Sequence, residues 1–320
     1  MKVENVKRIS VLGAGIMGHG IAQSFLMGGY PVHLYDVQDS ILQTAVAHIR
    51  SNLELFVQVG LLRAGEIEAS MKRLTTTTEL EEAVKESDFI IEAAPEKVEL
   101  KQTLLEQVES YCPKESILAS NTSSLTLKQM GMKVKNKGRL VITHWFNPPH
   151  IVPAVEVVRG EETNDETFDT AFELLRKIKK LPVKIHRELP GFIVNRLQVA
   201  LAREVFDLYQ KGVASAADID TAVRGSIGFR LASIGPLLTA DLGGLDLWLQ
   251  VAKNLLPLIQ SSTEAPKALQ DLVSGGNKGI KSGKGFYDYA HDFSEGQLDE
   301  VVKKRDREFL ERLKNLYWKE

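Results

Sequence analysis

RISVLGAGIMG, the stretch from Arg8 to Gly18, decides the fold of this chain. It opens with a short apolar, β-branched run, Arg8–Leu12, which predicts a buried strand. A G-x-G-x-x-G loop follows at once, and a helical pattern comes directly after it. In this setting Gly13 permits the tight turn, Gly15 lets a pyrophosphate approach the backbone and Gly18 lets the helix pack close to the strand. The helix N-terminus offers free N–H groups to phosphates, so the stretch predicts a dinucleotide site.

The next predicted strand ends in an acid at the position that such a site requires. Val32–Tyr35 has the apolar alternation of a strand, and Asp36 follows it directly. A carboxylate about 20 residues beyond the glycines bonds the ribose hydroxyls of the adenosine. Because this carboxylate would repel a 2′-phosphate, the sequence favours NAD over NADP as the cofactor.

Further apolar runs predict a doubly wound sheet, whose ligands bind beyond the carboxyl ends of its strands. Glu96 and Lys101 follow the predicted strand Asp88–Ala94, so both are candidates to line the nicotinamide side of the cleft. For Lys101, a solvated helix face is an equally good explanation. Asn121–Ser124 follows the next strand, and its hydroxyls are candidates to bind a substrate oxygen or to cap the helix that comes next.

The stretch THWFNPPHIVPAVEV, Thr143–Val157, places an imidazole and a carboxylate on two short apolar runs. His144 ends the predicted strand Arg139–Thr143, and Glu156 lies on the run that follows an Asn-Pro-Pro turn. An imidazole titrates close to neutral pH, and a carboxylate on its other ring nitrogen would fix the tautomer that a general base needs. From these residues by themselves, a structural histidine at a strand end explains His144 equally well.

Helical patterns dominate the rest of the chain. Pro190-Gly191 opens a long predicted helix, Phe192–Lys211, and the charged segment His291–Glu320 predicts a solvated C-terminal helix. We therefore predict an α/β fold: an N-terminal Rossmann domain over residues 1–187, with a doubly wound and mainly parallel sheet, followed by an all-α domain over residues 188–320. The helical domain has many apolar positions for its size, which predicts a homodimer through it.

The composition excludes several classes of partner. The 320 residues carry a net charge of −2, so nothing in the total charge points to nucleic acid or to an anionic membrane. No apolar run approaches the roughly 18 residues of a membrane helix, and the N-terminus lacks the apolar core of a signal peptide. The single cysteine, Cys112, fits a reducing compartment, and we expect a cytoplasmic protein that binds no metal and acts on a small molecule.

Four stretches of the chain resemble the 3-hydroxyacyl-CoA dehydrogenase family: GAGIMGHGIA, ASNTSSL, HWFNPPHIVPAVEVV and PGFIVNRL. The resemblance covers nearly the whole chain. It implies that His144 is the general base, that Glu156 pairs with it, and that Ser123 and Asn195 bind the oxygen of the substrate. The cofactor-binding residues that it implies are Gly13, Ala14, Gly15, Ile16, Met17, Gly18, Asp36, Glu96, Lys101, Ser123, Asn147 and Lys281.

The resemblance implies the reaction more firmly than the substrate. Its leading implication is NAD-dependent oxidation of a short-chain 3-hydroxyacyl-CoA, as in fatty acid metabolism. The segment Pro149–Pro153 departs from the acyl-CoA members and is similar to relatives that act without coenzyme A, such as those for L-gulonate, carnitine and pyridine alcohols. His150 in this segment is either a substrate contact or a turn residue. Ser40–Lys72 predicts a helical hairpin whose exposed face either meets a bulky substrate or is solvated. A third alternative is a non-catalytic NAD-binding structural protein, against which the intact site residues argue.

Overall fold

The computed structural model describes residues 1–289 and 297–318 of the chain. The chain forms two compact units. The first consists of Met1–Ile193 together with Arg305–Glu320, and the second is Val194–Lys304.

An eight-stranded sheet forms the centre of the first unit, in the order β3-β2-β1-β4-β5-β6-β7-β8. Its strands are β1 Ile9–Leu12, β2 Val32–Tyr35, β3 Leu74–Thr77, β4 Phe89–Glu92, β5 Ile117–Ser120, β6 Leu140–Trp145, β7 Ala154–Val158 and β8 Leu181–Ile185. Every neighbouring pair is parallel except β6 and β7, which are antiparallel. The predicted doubly wound, mainly parallel sheet is confirmed.

Burial explains why the central strands are continuous apolar runs. All residues of β1, β4, β5 and β6 are buried, as expected where helices cover both faces of a parallel sheet. The edge strand β8 is largely exposed and contains Pro182, which has no N–H to donate to a further strand. The switch in strand order between β1 and β4 opens a crevice at their carboxyl ends.

Among the described residues, seven α-helices and the last part of an eighth belong to this unit. They are α1 Ile16–Met27, α2 Asp39–Gln58, α3 Ala64–Met71, α4 Leu80–Val84, α5 Val98–Tyr111, α6 Leu127–Met130, α7 Asp165–Lys177 and the C-terminal part of the helix Gln297–Leu316. α2 and α3 form the predicted hairpin. Cys112 is the buried residue that ends α5, and it is a free thiol.

Among its described residues, the second unit contains helices, turns and two isolated β-bridges, but no strand. Its helices are α8 Val194–Gln210, α9 Ala216–Val223, α10 Phe229–Leu231, α11 Pro236–Gly243, α12 Leu245–Leu255, α13 Lys267–Ser274 and the first part of α14, the helix Gln297–Leu316. Ser215 caps α9 by accepting a hydrogen bond from the Asp218 N–H at 3.1 Å. The predicted all-α region is confirmed. Among the helices described in the chain, none has the length and apolarity that a bilayer span requires.

The C-terminal helix differs from the expectation that it would be solvated. Residues 290–296 lie outside the described residues, but Leu310 is fully buried and Leu313 is 3% exposed. Both pack with Phe56, Val59 and Ile151 in a separate apolar cluster. The segment from Arg305 therefore counts with the first unit, whereas the predicted boundary placed it with the helical domain. Most residues of this helix are charged or polar, which predicts a solvated helix. Its burial is determined by a few apolar positions.

Candidate active site

The carboxyl ends of β1, β4, β5 and β6 carry most of the predicted site residues. The glycine loop follows β1, Glu96 lies beyond β4, and Ser123 lies beyond β5. His144 lies within the last two residues of β6, slightly earlier than predicted, because this strand extends to Trp145. The parallel order of these strands brings the ends together at one edge of the sheet.

The glycine loop has the geometry of a phosphate cradle. Gly13 has a φ of +102°, and a Cβ there would lie 2.7 Å from the carbonyl oxygen of Ala93. A Cβ on Gly18 would lie only 1.6 Å from the Gly13 carbonyl oxygen, so α1 can approach β1 only with a glycine here. At Gly15, by contrast, no atom lies within 4 Å of the Cβ position. The loop is therefore closed on its protein side and open where a pyrophosphate would lie.

Asp36 lies beside this loop. Its Oδ2 accepts a hydrogen bond from the Ala14 N–H at 2.9 Å, and its Oδ1 accepts from the Gln38 N–H at 3.2 Å. The carboxylate has further lone pairs for ribose hydroxyls. The open cradle and this acid fit a dinucleotide without a 2′-phosphate, as the sequence predicted. Ile16, at the start of α1, is 70% exposed, so this edge of the loop is accessible.

His144 and Glu156 face each other directly across β6 and β7. The antiparallel register pairs the two residues, which places their side chains on the same face of the sheet. The Nδ1 of His144 donates to the Oε2 of Glu156 at 2.7 Å. Glu156 is fully buried, and its Oε1 accepts a second hydrogen bond, from the Ile193 N–H at 2.9 Å. The carboxylate is thus fixed by the backbone and in turn fixes the imidazole.

This pair can perform acid–base chemistry. With Nδ1 committed to Glu156, Nε2 is the ring nitrogen that can exchange a proton with a substrate. The ring of His144 lies edge-on to Phe146, 4.6 Å between centroids, and contacts Phe192 at 5.4 Å. A carboxylate in such apolar surroundings stabilises the imidazolium that forms when Nε2 takes a proton.

Glu96 organises the loop that contains Ser123. Its Oε1 accepts hydrogen bonds from the Thr122 hydroxyl at 2.5 Å, from the backbone N–H groups of Ser123 and Ser124 at 3.1 and 3.2 Å, and from the Ser124 hydroxyl at 2.9 Å. Burial acts to raise the pKa of Glu96, but the bond from Thr122, the charge of Lys101 and the bond from Ser124 together lower it. The side chain of Glu96 is therefore an anion that holds the loop, and Ser123 remains exposed.

The structure decides against one of the two predicted environments of Lys101. Its side chain is 1% exposed, so the solvated helix face is wrong. The ammonium donates to both carboxylate oxygens of the fully buried Glu92, at 2.6 and 2.8 Å, and lies 3.3 Å from Glu96. The Ser120 hydroxyl also donates to Glu92, at 2.5 Å. The buried pair thus ties α5 to the ends of β4 and β5.

The remaining predicted residues lie in three places. Asn147 is exposed and follows β6, in a cis peptide bond with Pro148. Asn195 lies in the first turn of α8, and Lys281 lies in a short 3₁₀ turn, Ile280–Ser282, both within the second unit.

His150 is not an exposed group in the turn. It is 6% exposed, and its ring packs near those of Phe56 and His19. Burial, together with the charges of His19, Lys180 and Arg305, lowers the pKa of His150 to about 3. The imidazole is therefore neutral at physiological pH, and its burial favours a role in packing over contact with a substrate.

Sequence reasoning missed three residues that support the site. Glu92 is an acid inside an apolar strand, and that exception in the pattern was the available signal. Asn121 accepts the Trp145 N–H on its Oδ1 at 2.9 Å and so links the end of β5 to β6. Lys180 is a buried lysine just before β8. No feature of the sequence distinguishes these last two from ordinary polar residues.

The sequence matches two profiles along most of its length. Residues 8–189 match the 3-hydroxyacyl-CoA dehydrogenase, NAD binding domain, and residues 191–289 match the 3-hydroxyacyl-CoA dehydrogenase, C-terminal domain.

Three curated relatives share about a third of their residues with this chain. The 5-formyl-3-hydroxy-2-methylpyridine 4-carboxylate 5-dehydrogenase of Mesorhizobium japonicum is 31% identical, over 93% of this chain and 96% of the relative. The L-carnitine dehydrogenase of Streptomyces griseus subsp. griseus is 35% identical, over 92% and 89%. The 3-hydroxybutyryl-CoA dehydrogenase of Clostridioides difficile is 34% identical, over 88% and 99%.

Two solved structures extend the comparison. A crystal structure of a 5-formyl-3-hydroxy-2-methylpyridine 4-carboxylic acid 5-dehydrogenase, described as an NAD⁺-dependent dismutase, has a TM-score of 0.89 and 30% identity, over 98% of this chain and 100% of the other. The (S)-3-hydroxybutyryl-CoA dehydrogenase PaaH1 from Ralstonia eutropha has a TM-score of 0.73 and 30% identity, over 89% and 99%. Profiles, relatives and structures agree with the cradle and the histidine–glutamate pair: the chain belongs to the 3-hydroxyacyl-CoA dehydrogenase family and is an NAD-dependent dehydrogenase.

Proposed function

We propose that this enzyme oxidises the hydroxyl group of a small hydroxy acid or alcohol that carries no coenzyme A. His144 is the general base: its Nε2 takes the proton of the hydroxyl group as the carbon–oxygen bond becomes a carbonyl. The observation that carries the role of His144 is the 2.7 Å bond from Nδ1 to Glu156 within a buried pair. Such base catalysis contributes roughly 10²–10⁴-fold to the rate.

The other residues in the proposal bind and orient. The hydride that leaves the same carbon is accepted by bound NAD, which supplies the redox chemistry. The Gly13–Gly18 loop and Asp36 hold the two ends of the adenosine diphosphate portion, and Glu96, Lys101, Asn147 and Lys281 complete the cofactor contacts that we propose. Ser123 and Asn195 donate hydrogen bonds to the substrate oxygen, on which negative charge develops as the proton departs.

Two observations support a substrate without coenzyme A. A solved structure that matches 98% of this chain with a TM-score of 0.89 is of an enzyme named for a pyridine carboxylate, whereas PaaH1 matches 89% of this chain with a TM-score of 0.73. The C-terminal region of this chain includes α14, which packs Leu310 against Phe56 of α2 and bonds Lys314 to the Val59 carbonyl at 2.8 Å. α14 thus covers part of the helical hairpin, whose exposed face the sequence left either to meet a bulky substrate or to be solvated.

A short-chain 3-hydroxyacyl-CoA is the second candidate. It is favoured by the curated relative from Clostridioides difficile, which is named for 3-hydroxybutyryl-CoA and matches almost over its own full length. The same residues would then act in the same roles, and the enzyme would belong to fatty acid metabolism.

Steady-state oxidation of NADH distinguishes the two substrates. Acetoacetyl-CoA is compared with free acetoacetate and with a panel of keto acids, dehydrocarnitine and pyridine aldehydes at equal concentrations. We expect the highest kcat/KM on a compound without coenzyme A. A higher kcat/KM on acetoacetyl-CoA than on every CoA-free compound would establish the second candidate instead.

We further propose that two copies associate through the helical unit. Among its described residues only Ile219 and Ala268 are buried, while Leu237, Leu258 and Phe229 are 83%, 75% and 73% exposed. Apolar surface of this extent costs about 25 cal/mol per Å² in water, so an apolar partner must cover it. A second copy presents the same surface and satisfies this need by symmetry.

Sedimentation velocity at micromolar concentration tests the association. We expect the mass of a dimer for the native chain and a monomer for Leu237→Asp. The matched control is Met132→Asp, since Met132 is 70% exposed on the first unit. A native chain that sediments as a monomer would refute the dimer.

We also propose that the enzyme works in the cytoplasm. Its single cysteine is a free, buried thiol, which suits a reducing compartment. Cell fractionation with detection of the native chain would test this location.

A further inference from the structure

Lys180 is a buried cation that lies outside the acid–base pair. It is 5% exposed, and no carboxylate in residues 1–289 or 297–318 forms an ion pair with it. Its ammonium donates instead to two backbone carbonyls, those of Pro149 at 2.6 Å and Val152 at 3.0 Å. It also lies over the indole ring of Trp145, 5.3 Å from the centroid. A buried cation is costly, so its retention needs a compensating role.

The carbonyls that Lys180 binds belong to the active-site loop, which we define as residues 146–153. This loop begins two residues after His144 and contains Asn147. Three of its residues are prolines, which have no N–H to donate, so the loop has few donors for its own carbonyls. Only the Pro148 carbonyl is bonded within the loop, by the N–H groups of Ile151 and Val152 at 3.0 and 2.9 Å. Lys180 supplies the donors that the loop lacks.

The active-site loop also packs against α1, the helix that begins at the glycine cradle. The contact is at Gly20, where a Cβ would lie 2.7 Å from Cγ of Pro149 and 2.8 Å from Nδ1 of His150. The Ser24 hydroxyl adds a long contact to the Pro149 carbonyl, at 3.5 Å. The loop is thus held between Lys180 and the helix that supports the cofactor.

We propose that Lys180 is a positioning residue for the dehydrogenation: it holds the active-site loop against α1, so that Asn147 and His144 keep a fixed place relative to the glycine cradle. This inference rests on the roles proposed above for those two residues. Without the ammonium, the carbonyls of Pro149 and Val152 would be left without their donor. The loop would then shift so that these carbonyls could form hydrogen bonds with water, and the reacting groups would lose their alignment.

The protonation of Lys180 provides a second measurement of this role, through the pH dependence of kcat. Burial lowers the pKa of Lys180 to about 7. The titratable and charged groups nearby are His150 in the loop, His19 on α1 and Arg305 on α14. The charges of His19, Lys180 and Arg305 each act to lower the pKa of His150. The pKa of His19 is itself lowered by burial. Lys180 therefore has a pKa near neutral pH, and a change in its charge would appear in the pH profile of kcat.

Lys180→Met removes the donors and keeps the volume of the side chain. We expect kcat to fall at least tenfold, the Kd of NADH to rise at least threefold, and the kcat–pH profile to lose a limb near pH 7. Without cofactor, the amides of Ile151 and Val152 should exchange with deuterium at least tenfold faster. Lys180→Arg, which keeps the charge, should restore part of the turnover. Lys177→Met is the matched control, because Lys177 is exposed at the end of α7, and it should change none of these quantities.

Gly20→Ala tests the same loop from the other side with Lys180 intact. Its added methyl group must displace Pro149 or His150, so kcat and amide exchange should change in the same direction as in Lys180→Met. If Lys180→Met folds and keeps the wild-type kcat and the wild-type rate of amide exchange, the positioning role is wrong. If Lys180→Met does not fold, the same result in Gly20→Ala would overturn it. If His144→Gln keeps its turnover, the proposed role of His144 as the base is wrong. The rate of amide exchange in Lys180→Met would still show whether Lys180 holds the active-site loop.

Discussion

At the scale of single residues, the identity of the base depends on one hydrogen bond. Glu156 is fully buried and meets the Nδ1 of His144 at 2.7 Å. His144→Gln keeps a side chain of similar reach but cannot accept a proton at neutral pH. We expect its turnover to fall roughly 10²–10⁴-fold, while NADH binds with an affinity within threefold of the wild type, as measured by fluorescence titration.

The control for this change is His48→Gln. His48 is exposed on α2 and contacts His19, with 5.2 Å between the ring centroids. It should keep its turnover within twofold. If His144→Gln also kept its turnover, another group would have to act as the base.

The sequence predicted the residues of the site better than their surroundings. The pairing of His144 with Glu156 followed from the family resemblance, and the register of β6 and β7 provides its physical cause. The environment of Lys101 did not follow, because burial of a lysine depends on Glu92, an acid on a different element. For His150 the sequence left open a substrate contact and a turn residue. Its burial did not follow from the sequence, because it comes from packing against α1 and against Phe56 of α2, which are distant in sequence.

At the scale of elements, the packing of α14 on α2 supports the argument about substrate size. Leu310 is fully buried, and Leu310→Ala leaves a cavity beside Phe56 and Val59. We expect the free energy of unfolding to fall by about 2–4 kcal/mol in urea titrations. Leu316→Ala on the same helix is the control, because Leu316 is 41% exposed, and it should change the value by less than about 1 kcal/mol. Equal effects of the two substitutions would mean that α14 does not pack through Leu310 in solution.

Strands and helices were largely predictable because their patterns are local. β1, with the glycine loop and α1, is an apolar run followed by a signature of fixed spacing, and the structure has it as predicted. α14 was predicted as a helix but not as a buried one. Its two fully buried positions, Leu310 and Leu313, are one helical turn apart within a strongly charged segment. The many charged residues of this segment indicate a solvated helix, although its tertiary packing depends on these two apolar positions.

At the scale of the whole molecule, two buried groups whose pKa values are lowered make stability depend on pH. His150 has a pKa of about 3 and Lys180 a pKa of about 7, against ordinary values of 6.5 and 10.5. In both cases the unfolded chain binds the proton more readily than the folded chain does. The free energy of unfolding therefore rises with pH, between about 3 and 6.5 for His150 and between about 7 and 10.5 for Lys180.

Lys180→Met isolates the alkaline part of this dependence. Each pH unit between 7 and 10.5 should stabilise the wild type by up to about 1.4 kcal/mol relative to the variant, because only the unfolded wild type still holds the extra proton. Below pH 7 both states of the wild type are protonated, so the difference between the two proteins becomes constant. Urea titrations at pH 6, 7, 8 and 9 measure this difference, and Lys177→Met provides the reference for an exposed lysine. Parallel curves for wild type and Lys180→Met across this range would mean that the ammonium is hydrated in solution, and the buried position of Lys180 beneath the active-site loop would have to be abandoned.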